Sequence, residues 1–220
     1  CPKSPIKEEL LGIAMLYSSG TTGRPKGILR PLEKQSPKEP LPLFTFLKDL
    51  WNYRENMVYL SPAPLYHSAP QVAVSLVLRL GGTAVIMERF NPAKYLLLVE
   101  KYQITHSQLV PSMFSRMLKL PEDVRSKADL TSLEYVTHAA APCPIPIKEK
   151  MIEWWGPIIH EYYSATEGMG FTALDSQEWL ENRGSVGKVI LGDLHILDEF
   201  GNPSPAETPG KIWFKTAAPF

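Results

Sequence analysis

The sequence predicts an α/β fold in which a mainly parallel sheet with flanking helices is followed by a small antiparallel, barrel-like β unit. Two observations support this fold class. Between residues 57 and 163, short apolar runs typical of buried strands alternate with the apolar spacing of helices, as in βαβ units. From Gly184 onward the sequence reads as short strands, and Asp198 to Asn202 supply a hairpin turn signal.

The predicted elements follow the chain in a regular order. An apolar run at 11–17 predicts a buried strand, and the Pro-, Lys- and Glu-rich residues 30–42 predict an exposed connection. Further strands are predicted at 57–60, 83–87, 104–110, 133–138, 158–163, 186–191, 194–197 and 211–215. Helices are predicted at 43–54, 70–80, 91–103, 111–120 and 145–155, and Asn91 followed by Pro92 marks the start of the third. Since ligands of such sheets bind beyond the carboxyl ends of the strands, the segments that follow strands should converge at one edge.

The composition excludes several classes of protein. Of 220 residues 44% are apolar, which is enough for a substantial core, and 23 basic residues balance 23 acidic ones. Because the net charge is zero, no global field attracts nucleic acid or an acidic membrane. Cys1 and Cys143 are too few for a disulfide framework or a metal cluster. The most apolar stretch, residues 70–87, is interrupted by Arg79 and Gly81, so we predict no transmembrane segment and expect a cytoplasmic protein.

The strongest chemical signal is the glycine-rich loop, which we define as residues 17–27. It gathers hydroxyl groups, glycines and cations in one short stretch: Ser18, Ser19, Gly20, Thr21, Thr22, Gly23, Arg24, Lys26 and Gly27. Glycine amides can approach an anion closely, hydroxyl groups add hydrogen-bond donors, and the cations add charge. The spacing is not that of a Walker A loop. The stretch therefore predicts a cradle for a polyphosphate, with a surface turn as the alternative.

This loop resembles the phosphate-binding loop of the adenylate-forming superfamily, which includes acyl- and aryl-CoA synthetases, peptide-synthetase adenylation domains and luciferases. The resemblance implies that the loop binds MgATP and that a carboxylic acid is joined to AMP. It implies a catalytic role for Lys26. The residues that it assigns to nucleotide binding here are Ser18, Ser19, Gly20, Thr21, Thr22, Gly23 and Lys26.

A second motif, which includes Tyr162, resembles the Tyr-Gly-x-Thr-Glu motif of the same superfamily. By position, the resemblance implies that Tyr163 stacks on adenine with Tyr162 beside it, that Thr166 contacts the phosphates during catalysis, and that Glu167 is catalytic and holds Mg²⁺. An aromatic face suits a purine, and a carboxylate beside a triphosphate is useful with a bridging hard cation. Ser164 replaces the usual glycine. The alternative is a strand end followed by a polar helix cap.

Two weaker motifs complete the resemblance. Ala139, Ala140 and Ala141 resemble the Gly-Ala-Ala-Pro turn that lines the adenine and acyl pocket, which implies nucleotide contacts for the alanines and a substrate contact for the preceding His138. His67 lies between a predicted strand and an apolar helix, and it resembles the histidine next to the substrate carboxylate in acyl- and aryl-CoA synthetases. An ordinary turn and a structural histidine are the alternatives.

These motifs predict the core of an ATP-dependent acid–CoA ligase. Such an enzyme activates a carboxylic acid, here fatty or aromatic, as acyl-AMP and transfers the acyl group to CoA. The expected cofactors are ATP and Mg²⁺, with CoA as co-substrate, and a homodimer is the assembly that we consider. His67 favours CoA ligases over peptide-synthetase adenylation domains. Two alternatives stay open: a non-catalytic nucleotide-binding module, and an adenylation domain with a different acceptor.

The resemblance also implies a domain organisation. Residues 1–35 end an amino-terminal α/β subdomain that contains the glycine-rich loop, residues 36–183 form an α/β subdomain, and residues 184–220 contribute to a β-barrel subdomain. Superfamily members carry further segments at both ends, including a mobile carboxy-terminal domain with a catalytic lysine. We therefore expect this chain to be a central piece of a longer enzyme and to be inactive by itself.

Overall fold

The computed structural model describes residues 8–18, 24–29 and 34–216. The strands within these residues are β1 (Leu16–Ser18), β2 (Lys26–Ile28), β3 (Val58–Ser61), β4 (Thr83–Ile86), β5 (His106–Leu109), β6 (Tyr135–His138), β7 (Ile159–Ser164), β8 (Phe171–Leu174), β9 (Lys188–Leu191), β10 (Asp193–Leu197) and β11 (Lys211–Lys215). The helices are α1 (Pro42–Leu50), α2 (Ser68–Arg79), α3 (Pro92–Tyr102), α4 (Pro111–Leu118), α5 (Glu122–Lys127), α6 (Ile145–Trp155) and α7 (Ser176–Glu181).

The large sheet has the strand order β4-β3-β5-β6-β7-β8-β9. Neighbouring strands from β4 to β7 run parallel, whereas β8 and β9 pair antiparallel. This arrangement confirms the predicted fold class, a mainly parallel sheet with helices followed by small antiparallel pairs. Because the strands from β4 to β7 point the same way, their carboxyl ends lie at one edge of the sheet, which we call the carboxyl edge.

Helices cover both faces of the sheet. On one face, α3, α4, α6 and α7 pack over a large apolar cluster whose fully buried members include Tyr95, Phe114 and Met151. On the other face, α1 and α2 pack over a second cluster that contains Tyr59. Tyr59 and its neighbour Leu60 belong to different clusters, as expected for successive residues of one strand. Burial on both faces explains why these strands read as short apolar runs.

Local capping sets several helix boundaries. The Asn91 Oδ1 accepts a hydrogen bond from the Lys94 amide at 2.9 Å, so the predicted start of α3 is confirmed. Gln103 ends the same helix with a left-handed φ of 49°. Asp175 and Glu178 form a capping box at α7, in which each side chain accepts from the other residue's amide.

The chain beyond Gly184 contributes to two sheets. β9 extends the large sheet, whereas β10 and β11 pair antiparallel in a separate two-stranded sheet. The turn that follows β10 is organised by Asp198, whose Oδ1 accepts hydrogen bonds from the amides of Phe200 at 2.9 Å and Asn202 at 2.8 Å. The turn predicted at 198–202 is thus confirmed.

Two strand predictions need correction. The predicted buried strand at 11–17 is largely exposed: β1 covers only its end, and Tyr17 is 66% exposed. Within the described residues β1 pairs only with β2 and is not part of the large sheet. The strand predicted as buried at 83–87 is β4, whose burial is partial because it is an edge strand. Four short elements, β2, α5, β8 and α7, were not predicted, and none of them is longer than six residues.

Gly187, which directly precedes β9, is predicted to be required for the close pairing of β9 with β8. Its φ is +95°, and a Cβ added there would lie 2.1 Å from the Ala173 carbonyl oxygen. Gly187→Ala should therefore lower the free energy of unfolding by more than about 3 kcal/mol, the range of severe steric changes. Gly201→Ala is the matched control, because Gly201 has a φ of +86° but open space around it. In Gly201→Ala only the left-handed strain of the new alanine should lower the free energy of unfolding, by about 1–2 kcal/mol. Urea unfolding of both variants measures the difference, and equal losses would contradict the steric argument.

Candidate active site

Three of the predicted site segments lie at the carboxyl edge. His67 follows β3, the alanine turn (residues 139–141) follows β6, and Thr166 and Glu167 follow β7. In the order β3-β5-β6-β7, adjacent strands are about 4.8 Å apart, so β3 and β7 are separated by about 14 Å. This width suits a ligand that extends along several strand ends.

The alanine turn and Tyr163 are direct neighbours. β6 and β7 pair in parallel with His138 opposite Glu161, and the turn follows His138 while Tyr163 lies two residues beyond Glu161. The Tyr163 ring is 41% exposed and stacks at 6.3 Å against Phe214 of β11. A half-exposed aromatic ring beside a turn of small residues leaves a flat apolar surface on which a planar base can stack.

The alanine turn contains a backbone conformation that is rare for a residue with a side chain. Ala140 has a φ of +73°, in the left-handed region, and both Ala140 and Ala141 are exposed. This conformation costs about 1–2 kcal/mol for a residue other than glycine. Such strain concentrates at sites where the surrounding structure holds a particular backbone shape for binding.

The loop after β7 is closed by two hydrogen bonds. The Gly168 amide donates to the Ala165 carbonyl at 3.0 Å, and the Ser164 hydroxyl donates to the Gly170 carbonyl at 2.7 Å. The loop leads into β8, so the alternative of a polar helix cap is wrong. Ser164 replaces the glycine of the superfamily motif, and its hydroxyl here fixes the loop. Phe214 covers Gly170 so closely that an added Cβ would lie 2.0 Å from the ring.

Glu167 provides oxygen ligands of the type that Mg²⁺ prefers. It is exposed in the closed loop, and among the described residues no ion pair holds its carboxylate. The described residues contain no group of three or more His, Cys, Asp or Glu side chains that could bind a metal by themselves. A lone carboxylate fits Mg²⁺ when phosphate oxygens and water supply the other ligands. Thr166, beside it, is partly buried.

The two ends of the glycine-rich loop are brought together by a hairpin. Ser18 of β1 pairs with Lys26 of β2, and the Lys26 side chain is exposed. The predictions for Ser19, Gly20, Thr21, Thr22 and Gly23 lie outside the described residues. In the described structure β1 pairs with β2 in a separate two-stranded sheet, so the convergence of the glycine-rich loop with the other segments at the carboxyl edge stays a prediction.

His67 is exposed at the start of α2. It occupies the N-cap position without a side-chain capping bond, and its ring lies 4.6 Å from the ring of Tyr66. Tyr66 is 76% exposed. An imidazole and a phenol therefore lie together at the carboxyl edge, where they can contact a polar group of a ligand.

The prediction for His138 needs correction. Its side chain is fully buried, packs edge-on against Phe114 at 5.3 Å, and lies 3.5 Å from a Glu161 oxygen. Burial, and secondarily the charge of Lys148, lower the pKa of His138 to about 3, so the imidazole is neutral. The side chain points into the core because side chains alternate along β6, and it does not face a ligand at the edge.

The prediction for Tyr162 also needs correction. Since neighbouring strand residues point to opposite faces, Tyr162 and Tyr163 cannot both line the same ligand surface. The Tyr162 ring stacks at 4.9 Å on Phe171, and its hydroxyl accepts a hydrogen bond from the Gln108 amide nitrogen at 2.5 Å. Burial raises the pKa of Tyr162 to about 12. Tyr162 thus anchors β7 in the core behind the site.

Sequence reasoning also missed a buried charged residue behind the site. Lys148 of α6 is fully buried and donates a hydrogen bond to Glu161 at 2.6 Å. A signal existed, because Lys148, Met151, Ile152 and Trp155 follow the helical spacing of one buried face. A lysine within an apolar stripe should therefore have been examined for a buried partner.

The architecture is that of an α/β protein with a mainly parallel sheet, a class in which ligands bind beyond the carboxyl ends of the strands. The chain matches the family of AMP-binding enzymes over residues 4–220. The chain therefore belongs to the AMP-binding enzyme family.

Individual relatives agree with this family. The chain is 31% identical to the medium/long-chain-fatty-acid–CoA ligase FadD8 of Mycobacterium tuberculosis over 204 residues, which is 91% of this chain and 34% of that protein. It is 34% identical to the 4-coumarate–CoA ligase-like 6 protein of Arabidopsis thaliana over 222 residues, or 97% of this chain and 38% of that one. This chain thus spans little more than a third of the length of both relatives.

Solved structures share the fold. The amide bond synthetase McbA of Marinactinospora thermotolerans matches with a TM-score of 0.74 and 25% identity over 92% of this chain and 40% of that one. The O-succinylbenzoate coenzyme A synthetase of Bacillus subtilis, solved with ATP and a magnesium ion, matches with a TM-score of 0.70 and 23% identity over 90% of this chain and 40% of its own. Within the described residues, no helix is both long and apolar enough to cross a bilayer.

The strain at Ala140 makes a testable prediction. Ala140→Gly should remove about 1–2 kcal/mol of left-handed strain, and the greater freedom of glycine in the unfolded chain should offset about 0.4–1 kcal/mol of that gain. The variant should therefore be as stable as the original protein or more stable by up to about 1.5 kcal/mol.

The control for Ala140 is its neighbour. Ala141 is also exposed but does not have a positive φ, so Ala141→Gly should lose about 0.4–1 kcal/mol. Chemical unfolding of both variants gives the comparison. If Ala140→Gly is destabilised as much as Ala141→Gly, Ala140 does not hold a left-handed conformation in solution.

Proposed function

We propose that the protein is an ATP-dependent acid–CoA ligase whose nucleotide site lies between the alanine turn and Tyr163. One observation carries the proposal: the register of β6 and β7 places the alanine turn, with its strained Ala140, beside the half-exposed Tyr163. The exposed carboxylate of Glu167 follows three residues beyond the end of β7. Membership of the AMP-binding enzyme family supports a nucleotide at this position.

In the proposed arrangement, the nucleotide follows the carboxyl edge. The adenine ring stacks on Tyr163 and lies against Ala139, Ala140 and Ala141, whose small side chains leave room for it. The phosphates extend towards Thr166, which contacts them, and towards the glycine-rich loop with Ser18, Lys26 and the residues between them. The exposed ammonium group of Lys26 neutralises phosphate charge. Glu167 would hold Mg²⁺, which when bound supplies further positive charge to the phosphate oxygens.

The proposed reaction has two displacement steps. In the first, an oxygen of the substrate carboxylate bonds to the α-phosphorus of ATP, and pyrophosphate leaves with the electron pair of the broken bond. In the second, the CoA sulfur bonds to the acyl carbon, its proton is released, and AMP leaves. The residues that we assign act mainly by positioning the reactants and stabilising charge.

The acid is proposed to lie near His67. The His67 side chain is exposed at the N-cap of α2. It lies in the segment that follows β3, whose carboxyl end is at the same edge as the proposed nucleotide site. A neutral or charged imidazole can donate a hydrogen bond to a carboxylate. The relatives named for fatty-acid and 4-coumarate ligases support a fatty or aromatic acid. A homodimer and a cytoplasmic location stay predictions.

A second candidate is an adenylating enzyme with a different acceptor. The likeness to an amide bond synthetase, at a TM-score of 0.74, favours an amine in place of the CoA thiol. Both candidates share the first step and differ only in the second. Incubation of the protein with ATP, a panel of fatty and aromatic acids, and either CoA or an amine separates them, since mass spectrometry distinguishes a thioester from an amide.

The direct test of the proposed function removes the stacking surface. Tyr163→Ala should weaken ATP binding by about 5- to 150-fold, since base stacking on an aromatic ring contributes about 1–3 kcal/mol. It should also lower acid-dependent exchange of pyrophosphate into ATP. Tyr163→Phe should retain both properties because the ring remains. Isothermal titration calorimetry and the exchange assay provide the two measurements.

Tyr102 supplies the matched control for this test. It is 42% exposed, nearly the same as Tyr163, but it ends α3 and precedes β5 at the opposite edge of the sheet. Tyr102→Ala should leave ATP affinity unchanged. ATP affinity that is equal in the Tyr163→Ala and Tyr102→Ala variants would refute the nucleotide site. In a form of the protein that also carries the further superfamily segments, ATP binding without exchange for any acid would favour a non-catalytic nucleotide-binding module.

The proposed metal role of Glu167 predicts a loss of rate without a loss of stability. Glu167→Gln should slow adenylate formation by about 100-fold or more, a typical effect of losing one electrostatic contact to the reacting groups. The free energy of unfolding should change by less than about 0.5 kcal/mol because the residue is exposed. More Mg²⁺ should be needed for half-maximal rate. Glu199→Gln, an exposed carboxylate in the turn after β10, is the control and should leave the rate unaltered.

A further inference from the structure

A charged cluster is buried directly behind the proposed nucleotide site. The Lys148 ammonium group donates a hydrogen bond to Glu161 Oε2 at 2.6 Å, and the side chains are 0% and 6% exposed. The same ammonium group lies 4.8 Å from the ring centre of Trp179. These contacts connect α6 to β7 and to α7 through one side chain.

The Glu161 carboxylate oxygen also faces β6. His138 Nε2 lies 3.5 Å from the same Oε2, and within the described structure neither His138 nitrogen forms a hydrogen bond. Burial and the nearby Lys148 charge keep His138 neutral by lowering its pKa to about 3. Burial lowers the pKa of Lys148, whereas the Glu161 carboxylate opposes that shift. The carboxylate thus lies between one charged and one neutral side chain.

The position of the cluster along the chain gives it a specific consequence. His138 is the residue before the alanine turn, and Glu161 is two residues before Tyr163. The Glu161 carboxylate on β7 therefore lies against His138, the last residue of β6, close to the two segments that form the walls of the proposed site.

Stability alone does not account for buried charges at this place. Removing two charges from water is expensive, and a well-packed apolar pair of similar volume is often at least as stable. The charged cluster lies against apolar rings, since Lys148 contacts Trp179 and His138 packs on Phe114, so an apolar pair would suit this environment. The hydrogen bond from Lys148 to the Glu161 carboxylate, by contrast, is directional and defines one distance and one orientation between α6 and β7, while the same carboxylate oxygen packs against His138 of β6.

We propose that Lys148 and Glu161 are positioning residues that hold the alanine turn and Tyr163 at the separation that the nucleotide base requires. The ion pair acts through His138 on β6 and through the backbone of β7, and it does not itself contact the ligand. The inference rests on the proposed nucleotide site, and it extends that proposal to a support on the core side.

The test replaces the ion pair with an apolar pair. In the double variant Lys148→Met/Glu161→Leu, neither charge remains buried without a partner, so the variant should unfold at a urea concentration close to that of the original protein. Amide hydrogen exchange measured by mass spectrometry should become at least tenfold faster at 139–141 and 163–168 and stay unchanged in α3. ATP should bind at least tenfold more weakly by calorimetry.

An ion pair elsewhere in the same sheet provides the control. Arg54 and Glu134 are paired at 2.6 Å, are 38% and 40% exposed, and precede β3 and β6 at the edge opposite the site. Arg54→Gln/Glu134→Gln should leave exchange at 139–141 and 163–168, and the ATP affinity, unchanged. If the apolar double variant does not fold, Glu161→Gln replaces it, because this substitution keeps the shape of the side chain. Hydrogen exchange at 139–141 and 163–168 should then become at least threefold faster.

The exchange measurement decides the proposal whatever happens to ATP binding. Locally faster exchange at 139–141 and 163–168 supports the positioning role. Unchanged exchange at these segments overturns it, and so does exchange that accelerates equally throughout the sheet with a matching loss of stability. If the original protein does not bind ATP, the proposed function fails, while the exchange data still show whether the ion pair positions the two segments.

Discussion

The parallel pairing of β6 and β7 is the constraint on which the site depends. Apolar layers on both faces hold these strands in register, with His138 opposite Glu161. This pairing sets the positions of the residues that follow: the alanine turn comes directly after β6, and Tyr163 lies near the end of the neighbouring β7. The site therefore inherits its geometry from the core, because the strand ends cannot move independently without disturbing close packing.

The alternation of side chains along β7 divides two adjacent tyrosines between two tasks. Tyr162 stacks on Phe171 and bonds to Gln108 inside the second apolar cluster, which ties the strand down. Tyr163 points the other way and keeps its ring half-exposed next to Phe214. One strand thus supplies both an anchor in the core and the exposed ring of the proposed nucleotide site, and Phe214 of β11 stacks against that ring from the small antiparallel sheet.

Charge is distributed in the same two-sided way. The carboxylate of Glu167 and the ammonium of Lys26 are exposed, where they can meet phosphate and a cation. Glu161 and Lys148 form a pair in the core, where neither group can meet a ligand. The exposed groups have chemical roles in the proposed function and contribute little to stability. The buried pair cannot contact a ligand, so we infer that it acts by holding β7 and α6 in place behind the proposed site.

The sequence by itself determined the fold class, because apolar periodicity reports burial. It also indicated the segments of the proposed site, because hydroxyl, glycine and acidic residues occur in ordered motifs. The order of the elements from 57 to 163 apart from α5, the cap at Asn91 and the turn at Asp198 needed only local chemistry. Only the tertiary structure decided which side chains face the ligand, since that depends on strand register and on neighbours distant in sequence. For this reason His138 lies in the core, and Lys148 has a buried partner thirteen residues away that sequence spacing did not reveal.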